Sequence, residues 1–230
     1  MTYDKTQKAY FDESSHQYPI EKVIQPETHT FLETQLLISR INNPPPSIIM
    51  DFGSGSGRIT FPLLQRGYIV HAIDVSQKSL NQLKKVAARF SSHLKTFTKI
   101  PREKYDVIVG SDILHHVDLN ITLPVLKKSL ASGGKIVFSE PGGGNLFWYL
   151  YLPIFHKWDI EKGVASCTFF NLKNLLIKFG FHNIKVTGLG LAPRFMFKWS
   201  PQLCSFNDKL GNLPILKLFA YRYLIEAESK

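Results

Sequence analysis

Asp51-Phe52-Gly53-Ser54-Gly55-Ser56-Gly57 is the stretch that decides how this chain folds. The apolar run before it, Ser47 to Phe52, reads as a short buried strand. The glycines read as a tight turn off the end of that strand, and Arg58 to Gln65 as a helix closed by Arg66-Gly67. Glycine lets a backbone turn sharply and approach a ligand closely, and the helix that follows offers unpaired N–H groups. A second apolar run, Tyr68 to Ile73, ends at Asp74. Strand, glycine turn, helix and an acid at the next strand end together make a nucleotide site at the carboxyl edge of a parallel sheet. There the Asp74 carboxylate can accept both hydroxyl hydrogens of a ribose.

Working outward, the alternation continues. Ser79 to Phe90 has Leu80, Leu83, Val86 and Ala87 at helical spacing. Leu94 to Thr98 is a weak strand and Tyr105 to Val109 a strong one. Thr122 to Leu130 reads as a helix closed by Gly133-Gly134, and Lys135 to Ser139 as a further strand. Alternating strands and helices predict a parallel sheet with helices on both faces. After Glu140 the pattern breaks at Pro141-Gly142-Gly143-Gly144, and an aromatic segment follows, Leu146 to Trp158. Phe170 to Phe179 reads as a helix with Gly180 as its cap, and Ile184 to Leu189 and Phe219 to Ala227 as the last strands. Upstream, Thr30 to Ile41 has helical spacing and stops at Pro44-Pro45-Pro46. One domain is expected over 1–230, with an N-terminal cap (1–43), a core (44–141) and a third segment with the final strands (142–230).

Composition narrows the class. Hydrophobic residues make up 44% and charged residues 20%, an ordinary globular balance. The longest apolar run, Leu146 to Phe155, contains Pro153 and is half the roughly 20 residues a spanning helix needs. With a polar start and no signal-peptide pattern, a cytoplasmic protein is expected. Cys167 and Cys204 lack metal-ligand spacing, so neither a disulfide framework nor a metal site is expected. The net charge is +10, and residues 141–230 carry 11 basic against 5 acidic side chains. A solvated basic surface accounts for this, because no basic run exceeds two residues; nucleic acid or an acidic membrane are the partners it would otherwise suit.

The spacing of the turn separates two cofactors. A dinucleotide fold has Gly-x-Gly-x-x-Gly facing a pyrophosphate. This chain has Gly-x-Gly-x-Gly with Asp51 two residues before the first glycine. That carboxylate would repel a pyrophosphate and suit a cationic amino group, such as the methionine part of S-adenosylmethionine, so an NAD-dependent oxidoreductase is disfavoured.

Ile48 to Gly57 resembles the first motif of class I S-adenosylmethionine-dependent methyltransferases. Ala72 to Ser76 resembles the acidic end of that family's second strand. Tyr105 to Val109 with Ser111 to Val117, Leu130 to Pro141, and Tyr221 to Ala227 are similar to its fourth strand and following segment, its fifth strand, and its closing strand. The resemblance implies a Rossmann-like, mostly parallel seven-stranded sheet whose last strand is antiparallel. It also implies that Asp51, Gly53, Ser54 and Gly55 line the methionine side, that Gly57 permits close helix packing, that Asp74 holds the ribose, that Val75 packs on adenine, and that Ser111 touches the methionine or ribose. S-adenosylhomocysteine would be the product. One departure stands out: the family often has an acid after the third strand, and Thr96 to Pro101 has none.

The acceptor side is less specified. Methyl transfer from a sulfonium is an in-line displacement, so alignment is the main requirement. His115 and His116 are the candidates for a base, and Asp112 for a helix cap. Tyr10 and Tyr18 in the cap, and Trp148, Tyr149 and His156 after the fifth strand, are candidates to line an acceptor pocket suited to a small apolar or aromatic molecule. The rival readings are an RNA methyltransferase, though no Asn-Pro-Pro-aromatic motif is present, and a non-catalytic S-adenosylmethionine-binding regulator. Peripheral membrane contact through the aromatic segment and Leu191 to Trp199, with Arg194 and Lys198, is a further expectation.

Overall fold

A computed structural model describes residues 5–14, 19–197 and 199–230. Seven strands form one sheet: β1 (Ile48–Phe52), β2 (Ile69–Ile73), β3 (Leu94–Phe97), β4 (Tyr105–Ser111), β5 (Leu130–Pro141), β6 (His182–Leu189) and β7 (Arg222–Glu228). Their order is β3-β2-β1-β4-β5-β7-β6. Neighbours pair in parallel as far as β5, and β7 runs antiparallel to both β5 and β6. The doubly wound, mostly parallel sheet with an antiparallel last strand is therefore the fold.

The strand sequences show why both faces are covered. Successive side chains point to opposite faces of a strand. Ile49, Val107, Val109, Val137 and Leu224 fall into one buried cluster, with Leu37, Leu63, Leu80 and Leu83 from helices α3 (Thr28–Ile38), α4 (Thr60–Gln65) and α5 (Gln77–Val86). Met50, Ile108, Ile136, Phe138 and Ile225 fall into the other, with Leu123 and Leu126 from α6 (Leu119–Ser129) and Leu172 and Leu176 from α9 (Phe169–Lys178). These strands are apolar at nearly every position because neither face meets water. The cap carries α1 (Lys5–Ser14) and α2 (Ile20–Ile24), and α7 (Leu146–Phe155) and α8 (Trp158–Glu161) follow β5.

Three boundaries differ from the sequence reading. Gly133-Gly134 does not close a helix: β5 already begins at Leu130, and the glycines lie where its register against β4 shifts. A Cβ on Gly134 would stand 2.9 Å from the Tyr105 carbonyl oxygen, so the strands approach too closely there for a side chain. β7 starts at Arg222 rather than Phe219, because Leu216–Phe219 forms a 3-10 turn. An unexpected helix, α10 (Pro201–Gly211), precedes it, capped by the Ser200 hydroxyl, which accepts from the Leu203 N–H.

Candidate cofactor and acceptor site

The glycine turn leaves β1 with Gly53, Gly55 and Gly57 at φ of 77°, 50° and 105°, a region that suits glycine. The Gly53 and Ser54 N–H groups donate to the Ile73 carbonyl, which ties the turn to the end of β2. A Cβ on Gly53 would lie 2.5 Å from Ile113, and one on Gly57 2.5 Å from Leu83 of α5. Around Gly55 no atom stands within 4 Å of that point, so this side of the turn is open. Asp74 faces it: its carboxylate accepts from the Gly55 N–H at 2.8 Å and the Ser76 N–H at 2.8 Å. Val75 is half-buried between Asp74 and α5.

Asp51 is buried behind the turn. One carboxylate oxygen accepts from the Thr60 hydroxyl at 2.6 Å, and the other, Oδ1, has no partner; nor has the buried Ser54 hydroxyl. A buried acceptor without a donor is costly. Burial lifts the Asp51 carboxyl to about 7, against the Thr60 hydrogen bond and the Arg58 charge. Burial also raises Asp74, against the N–H groups of Ser76 and Gly55. An open turn flanked by orphaned acceptors fits a ligand with a cationic amino group, and so fits S-adenosylmethionine. The first acid after β3 is Glu103, and it stands 3.1 Å from His71 Nδ1.

Arg58, one residue past the turn, joins this edge to a second site. Its guanidinium donates to the Ser111 hydroxyl at 2.5 Å and to Asp112 Oδ2 at 2.6 Å. Arg222, at the start of β7, donates to Asp112 Oδ1 at 2.6 Å. Burial would raise the Asp112 carboxyl, but Arg222 and Arg58 hold it well below the usual carboxylate range. Asp112 therefore caps no helix; Asp118 caps α6 by accepting from the Asn120 N–H.

Beyond Asp112 the chain makes a 3-10 turn, Leu114–His116, held by Glu140 at the end of β5. Glu140 is fully buried and accepts from the N–H groups of Ile113 and Leu114, at 2.8 and 2.9 Å. Its other oxygen pairs with His115 Nδ1 at 2.8 Å, while His115 Nε2 pairs with Glu161 at 3.2 Å. Burial alone would lower the His115 imidazole, but these two carboxylates push it up to about 10. The His116 ring lies 3.9 Å away and behaves oppositely. Burial and the His115 charge push it down to about 3, and its buried Nδ1 has no partner. His115, His116 and Glu161 bring three ligand-type atoms within 4.8 Å of one another. Glu140 and Glu161 engage the two ring nitrogens of His115, which accounts for the cluster as an ion-pair network.

Both histidines line a cavity of about 450 Å³, with Arg58, Asp112 and Arg222 also on its wall and Trp148, Tyr151 and Phe195 supplying aromatic surface. His156 is on this wall too. Trp148 is held in place by stacking on Tyr221 and by donating its indole N–H to the Tyr221 carbonyl. Tyr149 is not brought to the cavity: its hydroxyl donates to the Gly143 carbonyl and its ring faces Trp158. From the cap it is Phe11, edge-on to His116 at 5.0 Å, that reaches the cavity, while Tyr10 packs behind Phe11 with Lys157 over its ring. Tyr18 lies outside the described residues. Arg58, Arg222, Glu140 and Glu161 were not singled out from the sequence; a buried acid at the end of β5 was the one signal that would have found Glu140.

Residues 50–136 match the family model of a methyltransferase domain. The match places a methyltransferase domain over those residues, and the fold is shared with solved S-adenosylmethionine-dependent methyltransferases. Over 111 residues it is 31% identical to an uncharacterized methyltransferase of Geobacillus thermodenitrificans (strain NG80-2), covering 45% of this chain and 51% of the relative. The chain thus spans about half the length of that curated relative. Two solved methyltransferases share the fold. One is the Haemonchus contortus phosphoethanolamine N-methyltransferase 2, with phosphomonomethylethanolamine and S-adenosylhomocysteine (TM-score 0.67, 16% identity, 100% of this chain and 60% of that one). The other is the geranyl diphosphate C-methyltransferase of Streptomyces coelicolor A3(2), with Mg2+, geranyl diphosphate and S-adenosylhomocysteine (TM-score 0.67, 14% identity, 100% and 98%).

Proposed function

We propose that this chain transfers the methyl group of S-adenosylmethionine to a small molecule seated in the cavity beside His116. The observation that carries this reading is the Arg58 bridge: one side chain rooted at the glycine turn forms the near wall of the acceptor cavity. Donor and acceptor sites share a boundary, as an in-line displacement requires. The two structural neighbours named above hold small-molecule acceptors, which supports a small acceptor here.

S-adenosylmethionine supplies an electrophilic methyl group on a sulfonium. The residues of the chain do the rest. Ionised Asp51 and the Ser54 hydroxyl face the amino end, Gly53 and Gly55 leave room for the backbone approach, and Asp74 receives the ribose hydroxyls. Val75 packs on the adenine, and Ser111, fixed by Arg58, sits between the two sites. On the acceptor side His115 is a fixed cation, so it takes no proton at neutral pH. His116 is neutral, and its ring forms part of the wall against which the acceptor lies. Aromatic walls with charges gathered at one end suit an apolar or aromatic molecule carrying one polar reacting group.

The test is turnover of labelled methyl donor with fractionated metabolite extracts, alongside calorimetric binding of S-adenosylmethionine, S-adenosylhomocysteine and NADH. Binding of the first two with label incorporation supports the reading. Cofactor binding without incorporation into any pool would make the chain a non-catalytic binder, and binding of NADH alone would overturn the cofactor assignment.

A further inference from the structure

Helix α7 is apolar on every side. Trp148 and Leu152 are buried beneath it, yet Leu146, Leu150 and Ile154 are 71–76% exposed. These three are spaced by four and therefore form one outward stripe. A helix bounded by water carries polar side chains on that side. A second exposed apolar group, Trp199, Phe206 and Ile215, lies on and around α10. Asn145, the N-cap of α7, ties that helix to the segments that flank α10. Its side-chain amide donates to the carbonyls of Leu191 at 2.9 Å and Phe219 at 2.6 Å, on either side of α10 in the chain. Helix α7 and the 3-10 turn Arg194–Phe197 also both line the acceptor cavity.

The segment that carries both groups is basic, with Lys157 after α7, Lys209 on α10 and Lys217 on the turn that follows. Residues 146–219 contain nine Lys or Arg and three Asp or Glu. Two of those acids are engaged within the protein, Glu161 with His115 and Asp208 with Arg194 at 2.7 Å. The third, Asp159, is exposed and stands 3.9 Å from Lys162. A second copy of the chain would set a basic surface against a basic surface. An acidic macromolecule would meet the lysines and leave the apolar side chains in water. An anionic bilayer meets both, with apolar groups below the headgroups and ammonium groups among the phosphates. No helix among the described residues is long and apolar enough to cross a membrane, and α7, at ten residues, would lie in the interface plane.

We propose that α7 and the surface around α10 dock this chain on anionic lipid bilayers, with the acceptor cavity next to the docked face. The test is co-sedimentation of the full chain with phosphatidylcholine vesicles with and without phosphatidylglycerol. Binding to the phosphatidylglycerol vesicles, weakened by salt, is expected. Leu150→Glu with Ile154→Glu should reduce it by roughly tenfold or more, and Lys209→Glu by roughly fivefold. Both variants change exposed side chains, so the melting temperature and S-adenosylhomocysteine affinity should not move. Absence of binding to either vesicle overturns the proposal. So does equal binding by the double variant, or a dimer in size-exclusion chromatography that the double variant abolishes. Because cofactor binding is read separately, these outcomes leave the methyl-transfer reading where it stands.

Discussion

The glycine-turn edge proposed for the cofactor and the cavity proposed for the acceptor sit side by side and are built in opposite ways. The cofactor edge is mostly backbone: seven consecutive residues, three of them glycines, with Asp74 pinned by two N–H groups. The acceptor end is mostly side-chain charge drawn from distant parts of the chain. Asp112 meets Arg222, and His115 meets Glu140 and Glu161, in pairs separated by 110, 25 and 46 residues. A backbone site tolerates change everywhere except at its few special positions. A charge network transmits any single loss to all its members, because each buried ion is left without its partner.

The sharpest way to break this contrast is Glu140→Ala. It strips a fully buried carboxylate from two N–H groups and an imidazolium, and should cost about 3–5 kcal/mol of stability in chemical denaturation. Retention of full stability would show that the network is not what holds the 113–116 turn. Asp74→Ala should do the reverse, weakening S-adenosylhomocysteine by about 1–3 kcal/mol in calorimetry with a smaller effect on folding. An unchanged affinity removes Asp74 from the site. His116→Ala, measured with whichever acceptor turns over, should lower kcat by roughly tenfold because the acceptor loses the ring that aligns it, with cofactor affinity intact. Equal turnover would show that the His116 ring aligns nothing.

A pH series sharpens the contrast most gently. Asp51 is raised to about 7, so it is neutral below that pH and ionised above it. A cationic amino group prefers the ionised form, so S-adenosylhomocysteine affinity should rise by roughly tenfold between pH 6 and pH 8, and Asp51→Asn should flatten the profile. For folding the sign is opposite. A carboxyl that holds its proton more tightly when folded favours the folded state most below its ordinary value of 3.8, and that contribution is lost as pH rises toward about 7. A cofactor affinity independent of pH would separate Asp51 from the amino group.

Much of the cofactor edge was legible in one dimension because its parts are local. A strand, a turn and the next strand end are close in sequence, and glycine at Gly53, Gly55 and Gly57 marks backbone that other residues rarely adopt. The acceptor end was legible only as a list of residue types. His115 and His116 were interchangeable in sequence, whereas in the fold one is clamped between Glu140 and Glu161 and the other is left neutral with a free nitrogen. Asp112 reads equally well as a helix cap until Arg222 arrives from the far end of the chain. Tyr149 and Trp148 are neighbours in one aromatic run, yet the helical turn sends only Trp148 to the cavity.

What the sequence determined by itself is the sheet and the glycine turn at its edge, since apolar periodicity and glycine conformations act over a few residues and need no partner. What only the tertiary structure decided is which side chains become charged, neutral or exposed. Those states depend on burial and on groups brought together from opposite ends of the chain, and neither can be read from spacing.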